Sequence, residues 1–298
     1  DLIQSLNGRD EFKFDKDFLL KAGLFLFDVT DITFSNNNLV KEIHLFDDNW
    51  DKFETAIKWA VNLITEEWRF TPKMISSYNA IIPIAYYYYK LLGNNNKPKN
   101  INKEPIKRWF VISLIKKIFG GHSDSLLKDL RDVIKDNKKN DFPFDEIVKK
   151  FKGKDKDITI DKDDIKIILN YEYGKDTTYI YLIMFLLYPK FDFSYKWDID
   201  HLYPQNLKVY SDEESYDKDL YKDLINIFAN LQPLNPPSNK AKSNIKFEEW
   251  LEDYLTKDKD YLQDFYIPVL DNYKIESFEK FIEERTKLLE KKLKEILK

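Results

Sequence analysis

A chain of 298 residues, 43% hydrophobic and 16% aromatic, carries enough apolar surface for one large core or two smaller ones, and is neither disordered nor fibrous. The absence of cysteine excludes disulfide scaffolds, thiolate metal sites and cysteine nucleophiles, and fits a reducing, cytoplasmic setting. A net charge of −4 excludes a uniformly basic surface, so any contact with nucleic acid must rest on a local basic groove.

No stretch reaches the roughly 20 apolar residues of a membrane span, and no basic, apolar leader opens the chain. The first residue is Asp1 rather than methionine, which points to a fragment of a longer protein. Apolar residues recur three and four apart along most of the length, the period of helices with one buried face. The first such segment is Asp17 to Phe27. The second runs from Trp50 to Glu67, with Phe53, Ile57, Ala60, Val61 and Ile64 on one stripe. A third covers Ser76 to Leu92, where Pro83 must kink or divide it, and a polar loop from Gly93 to Pro98 follows. Its run Tyr86-Tyr87-Tyr88-Tyr89 reads as packing between helices rather than as a base-stacking platform.

Ile106 to Phe119 is the next helix, closed by Gly120-Gly121; its Arg108-Trp109 pair reads as a stabilising element of the helical part rather than a DNA contact. Ser123 is the expected N-cap of a helix reaching about Lys135. His44 and His122 read as helix-end or packing residues. Lys152 to Asp164 is an exposed turn rather than a calcium loop, since Ile160 stands where an EF-hand starting at Asp155 needs glycine. Helices follow from near Asp163 and from Asp176 to Tyr188, the latter ended by Pro189. From Phe191 to Asn239 the pattern changes to short extended runs, prolines and a long polar insertion. Phe247 to Leu255 and Ser277 to Leu297 return to helix.

Two words in the changed region carry chemistry: Asp198-Ile199-Asp200-His201-Leu202-Tyr203-Pro204-Gln205, and the run from Asn230 to Asn244 that contains Asn230-Leu231-Gln232 and Asn239-Lys240-Ala241-Lys242-Ser243-Asn244. Hydrolysis of a phosphodiester requires a base for water and a cation for the charge on phosphate and leaving oxygen. His201 has the side chain whose unperturbed pKa lies closest to neutrality. Asp200 and Asn239 offer the hard oxygen ligands that suit Mg²⁺ or Mn²⁺. Neighbours on a regular strand face opposite ways, so the strand must end or bend at Asp200-His201, with Pro204 taking the chain out of the sheet. Asn239 is expected at the start of a short helix facing a strand pair.

These words resemble the HNH (ββα-metal, His-Me finger) nucleases, most closely the C-terminal nuclease part of GmrSD-type modification-dependent restriction endonucleases, and the HNH domains of CRISPR effectors have a similar run. Arg108-Trp109-Phe110, Phe119 to Ser125 and Phe281-Ile282-Glu283-Glu284-Arg285 extend the resemblance, which is expected to span Phe18 to the C-terminus and to be strongest from Trp197 to Asn244. By position it implies that His201 is the general base, Asp200 and Asn239 the ligands of a single Mg²⁺ or Mn²⁺, and Asn230 the residue that braces the loop and orients the histidine. Lys240 and Lys242 are the expected phosphate contacts.

The implied architecture is mainly α, a helical domain with an inserted ββα-metal module: residues 1–190 helical, 191–250 the nuclease module, and 251–298 helices packing on the helical domain. The implied activity is DNA cleavage in defence against phage, including DNA with modified, for example glucosylated, cytosine. The family's ParB-like NTPase domain, with its D-G-Q-Q-R type motif, has no counterpart here and is expected in a preceding part or a separate subunit. The insertion between Gln205 and Asn230 is acidic (Asp212, Glu213, Glu214, Asp217, Asp219), which is unexpected over a DNA groove and suits a gate or a partner contact. The competing reading is a catalytically silent HNH fold that binds DNA or docks the NTPase.

Overall fold

A computed structural model describes residues 2–8, 12–30, 36–92, 98, 100–121, 123–137, 140–193, 195–213, 216–243, 245–257 and 259–297, without the side chains of 36–41, 123–124 and 257. The polar loop at 93–97, His122, Glu214 and Asn244 lie outside the described residues, as does the N-cap position ahead of Ser123. The chain divides into two compact units, Asp1–Thr159 and Ile160–Lys298.

The first unit contains α1 (Leu2–Asn7), α2 (Lys16–Leu26), α3 (Asn36–Asn62), α4 (Ile82–Leu91), α5 (Glu104–Ile115), α6 (Ser123–Asp136) and α7 (Phe144–Phe151). Helix α3 begins well before the expected Trp50, because its Asn-rich start reads locally as a turn while the helix continues through it, and it ends in a turn of π-helix over Leu63–Glu67. Pro83 falls in the first turn of α4, where no N–H is needed, after a 3-10 turn over Tyr78–Ile81; the proline therefore divides the segment. Gly23 of α2 is required by close approach to α3, since a Cβ there would lie 2.0 Å from Phe46 Cζ. The tyrosine run is buried: Tyr86 donates to Asp28 Oδ1 at 2.6 Å, Tyr87 to the Asn140 carbonyl, and Tyr88 stacks on Trp59 with ring centroids 4.1 Å apart. Trp109 is buried and donates to the Ala80 carbonyl at 3.2 Å, and Arg108 lies over the Phe144 ring, so both serve this unit's packing.

The second unit runs α8 (Lys162–Leu169), α9 (Thr177–Leu187), β1 (Asp198–His201), α10 (Lys218–Leu224), β2 (Leu231–Leu234), α11 (Pro236–Lys242), α12 (Phe247–Lys257), α13 (Tyr261–Asp264) and α14 (Phe278–Ile296). The class is mainly α, as the periodicity predicts, and the two strands form an antiparallel pair in which Asp200 faces Gln232 and His201 faces Leu231. Within this unit α8 and α9 pack against α14. An aromatic cluster fixes the strands to α14: the Tyr203 ring lies 4.8 Å from that of Phe247, 5.0 Å from Phe278 and 5.1 Å from Phe281. The acidic insertion is partly helical. Asp217 caps α10, Asp219 pairs with Lys222, and Glu213 pairs with Lys246.

Helix α8 starts on a capping box, in which Asp161 accepts from the backbone of Asp163 and Asp164 while the Asp164 side chain accepts from the Asp161 N–H. Asp161→Ala is expected to lower stability by about 1 kcal/mol. In urea denaturation this would read as a lower midpoint at unchanged slope; an unchanged midpoint would show that the box contributes nothing. Among the described residues no helix is long and apolar enough to cross a membrane.

Candidate active site

The site is built where β1 ends. Asp200 is 7% exposed, and its Oδ2 accepts from Gln232 Nε2 at 2.8 Å across the strand pair. Gln232 is in turn held by the hydroxyl of buried Tyr261, which donates to its Oε1. The same Asp200 Oδ2 lies 3.0 Å from Lys242 Nζ, and this lysine also donates to the His201 carbonyl. Both hydrogen-bonding partners of the carboxylate therefore sit on Oδ2, and Oδ1 has none among the described residues.

His201 is the last residue of β1, and the chain turns away as Leu202 N–H donates to the Asn230 carbonyl at 2.8 Å. The strand thus ends at the Asp200-His201 pair, both still in register with β2. His201 Nε2 lies 3.0 Å from Asn226 Oδ1, an oxygen that also accepts from Gln205 Nε2 at 2.7 Å. An acceptor at that point assigns the imidazole proton to Nε2 and leaves the Nδ1 lone pair without a hydrogen bond among the described residues. The Tyr173 ring meets the imidazole edge-on at 5.1 Å. Burial pushes the His201 pKa below the usual histidine value; the Asn226 hydrogen bond and the Asp200 charge oppose this, and Lys242 adds to it. The imidazole is thus kept neutral near physiological pH.

Asn230 is fully buried and uses its whole amide on backbone: Nδ2 donates to Tyr203 O at 3.0 Å and Ile225 O at 2.8 Å, and Oδ1 accepts from Tyr203 N–H at 3.0 Å. It ties the segment after His201 to the segment that carries Asn226. Arg285 of α14, also fully buried, donates to Ala229 O at 2.7 Å, Tyr188 OH at 3.0 Å and Phe265 O at 3.1 Å. The Arg285 of the C-terminal word is therefore an anchor for the start of β2.

Asn235 caps α11, accepting from Ser238 N–H, and Asn239 follows as the fourth residue of this short helix. The Asn239 side chain is half-buried on a helix packed against β1, and its amide has no hydrogen bond among the described residues. Lys240 is exposed. Lys242, expected beside Lys240 as a phosphate contact, is instead 1% exposed and locked in its ion pair, because the helical turn directs it inward under β1.

Asp200 on β1 and Asn239 on the helix packed against it could each offer an oxygen to a hard cation. Among the described residues no group of three or more His, Cys, Asp or Glu could hold a metal. Two protein oxygens completed by water are a donor set that suits a Mg²⁺-class ion. Beside the first turn of α11 opens a cavity of about 1190 Å³, lined by Lys190, Lys196, Lys292 and Tyr195 together with Asp192 and Asp264.

The residues that hold the site were only half visible in the sequence. Gln205 and Gln232 stand inside the two informative words, whereas Asn226, Tyr173 and Tyr261 lie in segments without any local signal of function.

A family model of restriction-endonuclease domains matches residues 142–292, just over half of the chain and the whole of this site. It is that of the GmrSD restriction endonucleases, C-terminal domain, and the chain belongs to this family. The match begins downstream of Arg108-Trp109-Phe110, so it covers less of the helical part than the resemblance led us to expect. No curated protein matches the chain.

Proposed function

We propose that the chain is a divalent-metal-dependent DNA endonuclease of HNH type, the nuclease part of a modification-dependent restriction system directed against phage DNA. The observation that carries this reading is the buried imidazole of His201, held at Nε2 by Asn226, next in sequence to a buried carboxylate, with Nδ1 and Asp200 Oδ1 unengaged among the described residues. His201 Nδ1 takes a proton from water as the water oxygen attacks phosphorus and the bond to the leaving oxygen breaks. Asn226, itself steadied by Gln205, keeps the imidazole in the required tautomer throughout.

Asp200 and Asn239 would hold Mg²⁺ or Mn²⁺, which when bound supplies positive charge to the phosphate and the departing oxygen. Lys240, exposed on the same short helix, contacts the phosphate backbone without reading sequence. The cavity beside the first turn of α11, lined by Tyr195, Lys196 and Lys292 as well as Asp192, is a candidate path for a nucleic-acid strand. A ParB-like NTPase domain, in a preceding part or a separate subunit, would supply nucleotide dependence.

The test is cleavage of plain and glucosylated-cytosine DNA with Mg²⁺, Mn²⁺ or EDTA, with and without the NTPase part. Nicking or cutting that EDTA abolishes and excess metal restores is the expected result. No cleavage of either DNA under any of these conditions would sink the enzyme and leave a silent DNA-binding or docking module.

A further inference from the structure

Lys242 is buried, ion-paired with Asp200, and without a role in the chemistry outlined above. Its ammonium lies 3.0 Å from Asp200 Oδ2 and donates to the His201 carbonyl, so it touches both residues of the pair at the end of β1. Gln232 Nε2 fills the remaining place on that carboxylate oxygen. A lysine so placed cannot reach outward to a phosphate, yet a buried ammonium is kept in place only where its charge is paired and hydrogen-bonded.

We infer that Lys242 is a resident second cation of the site, neutralising Asp200 at Oδ2 so that the metal binds weakly at Oδ1 and the loaded site carries two positive charges in excess. This deepens the metal-nuclease reading and rests on it. The arithmetic of charge is simple. Asp200 and Lys242 cancel, while His201 and Asn239 are neutral, so a divalent ion leaves the site at +2. Without the lysine the loaded site would be +1. A phosphodiester carries one negative charge and its pentacoordinate state two, so the extra charge favours the transition state over the bound substrate. The same ammonium repels the incoming metal and weakens its binding.

The experiment is isothermal titration of Mn²⁺ into the full chain and its variants, with melting temperature and cleavage measured on the same samples. Asp200→Asn is expected to abolish binding. Lys242→Met is expected to tighten Mn²⁺ binding at least tenfold and to gain more melting temperature from Mn²⁺ than the unsubstituted chain does. At saturating Mn²⁺ it should cleave at least tenfold more slowly.

Unchanged or weaker Mn²⁺ binding by Lys242→Met would overturn the inference and reduce the lysine to a positioning residue for the carboxylate. The double variant Asp200→Asn/Lys242→Met removes both charges and is expected to melt above either single variant; a double variant that melts no higher would likewise overturn the pairing. A wild-type chain with no Asp200-dependent Mn²⁺ binding would bring down the metal-nuclease reading and this inference together. Asp200-dependent binding and cleavage with an indifferent Lys242→Met would bring down this inference alone.

Discussion

His201→Ala is expected to slow DNA cleavage about a thousand-fold, the scale of a lost general base, while lowering stability by only about 1 kcal/mol. The small stability effect follows from the surroundings: the ring meets Tyr173 at its edge, and Asn226 Oδ1 keeps its hydrogen bond from Gln205 when the imidazole is gone. The pH dependence has a definite sign. Burial holds the His201 pKa below the usual histidine value, so the cleavage rate should hold to lower pH than with an ordinary histidine base. It should fall only as the pH drops through the lowered value. An acidic limb with its half-point above about pH 6.5, the ordinary histidine value, would contradict a buried base of lowered pKa.

Stability follows the same group by linkage. On acidification the unfolded chain takes up the histidine proton first, so the contribution of His201 is fully present above about pH 6.5 and is lost as the pH falls toward the folded-state value.

The helical class and the two words of the site were legible because both depend on local pattern. A buried stripe three and four apart is written into each helix, and β1 ends at Asp200-His201, where Pro204 soon takes the chain away. What could not be read depends on chain reversal and distance. Asn226 acts on His201 from 25 residues away, and Tyr261 acts on Asp200 through Gln232 from 29 residues beyond that glutamine. Neither has a neighbour in sequence that marks it.

Lys242 shows the limit of reading residue type. A lysine in a polar, helix-starting word reads as exposed, and only the turn of α11 under β1 reveals that it faces inward to the carboxylate. Helix α10 was hidden for a related reason. Its acidic residues suggested a loop, whereas Asp217 caps the helix and Asp219 holds an i,i+3 pair with Lys222. Charged residues there organise the backbone.

Asn230→Ala is expected to destabilise the second unit by about 3 kcal/mol, since it strands buried partners that each cost about 1–3 kcal/mol when left unmade. Three are lost together: the Tyr203 N–H and the carbonyls of Tyr203 and Ile225, all met by one fully buried amide. Asn230→Asp should be worse than alanine, because a buried carboxylate would face the two carbonyls that now accept from Nδ2.

Asn230 touches no reacting atom, so its effect on cleavage is through position. Tyr203 lies two residues after His201, and Ile225 directly precedes the Asn226 that holds the imidazole. Cutting the tie lets the base and its anchor move apart. At a temperature where Asn230→Ala remains folded, cleavage should therefore fall about 10- to 100-fold, the range for lost supporting contacts. Thermal melts and cleavage on the same preparation separate the two effects, and full activity in a destabilised Asn230→Ala would confine this residue to holding the fold. Arg285 limits how far the damage spreads, since its hydrogen bond to Ala229 O still anchors the start of β2 from α14.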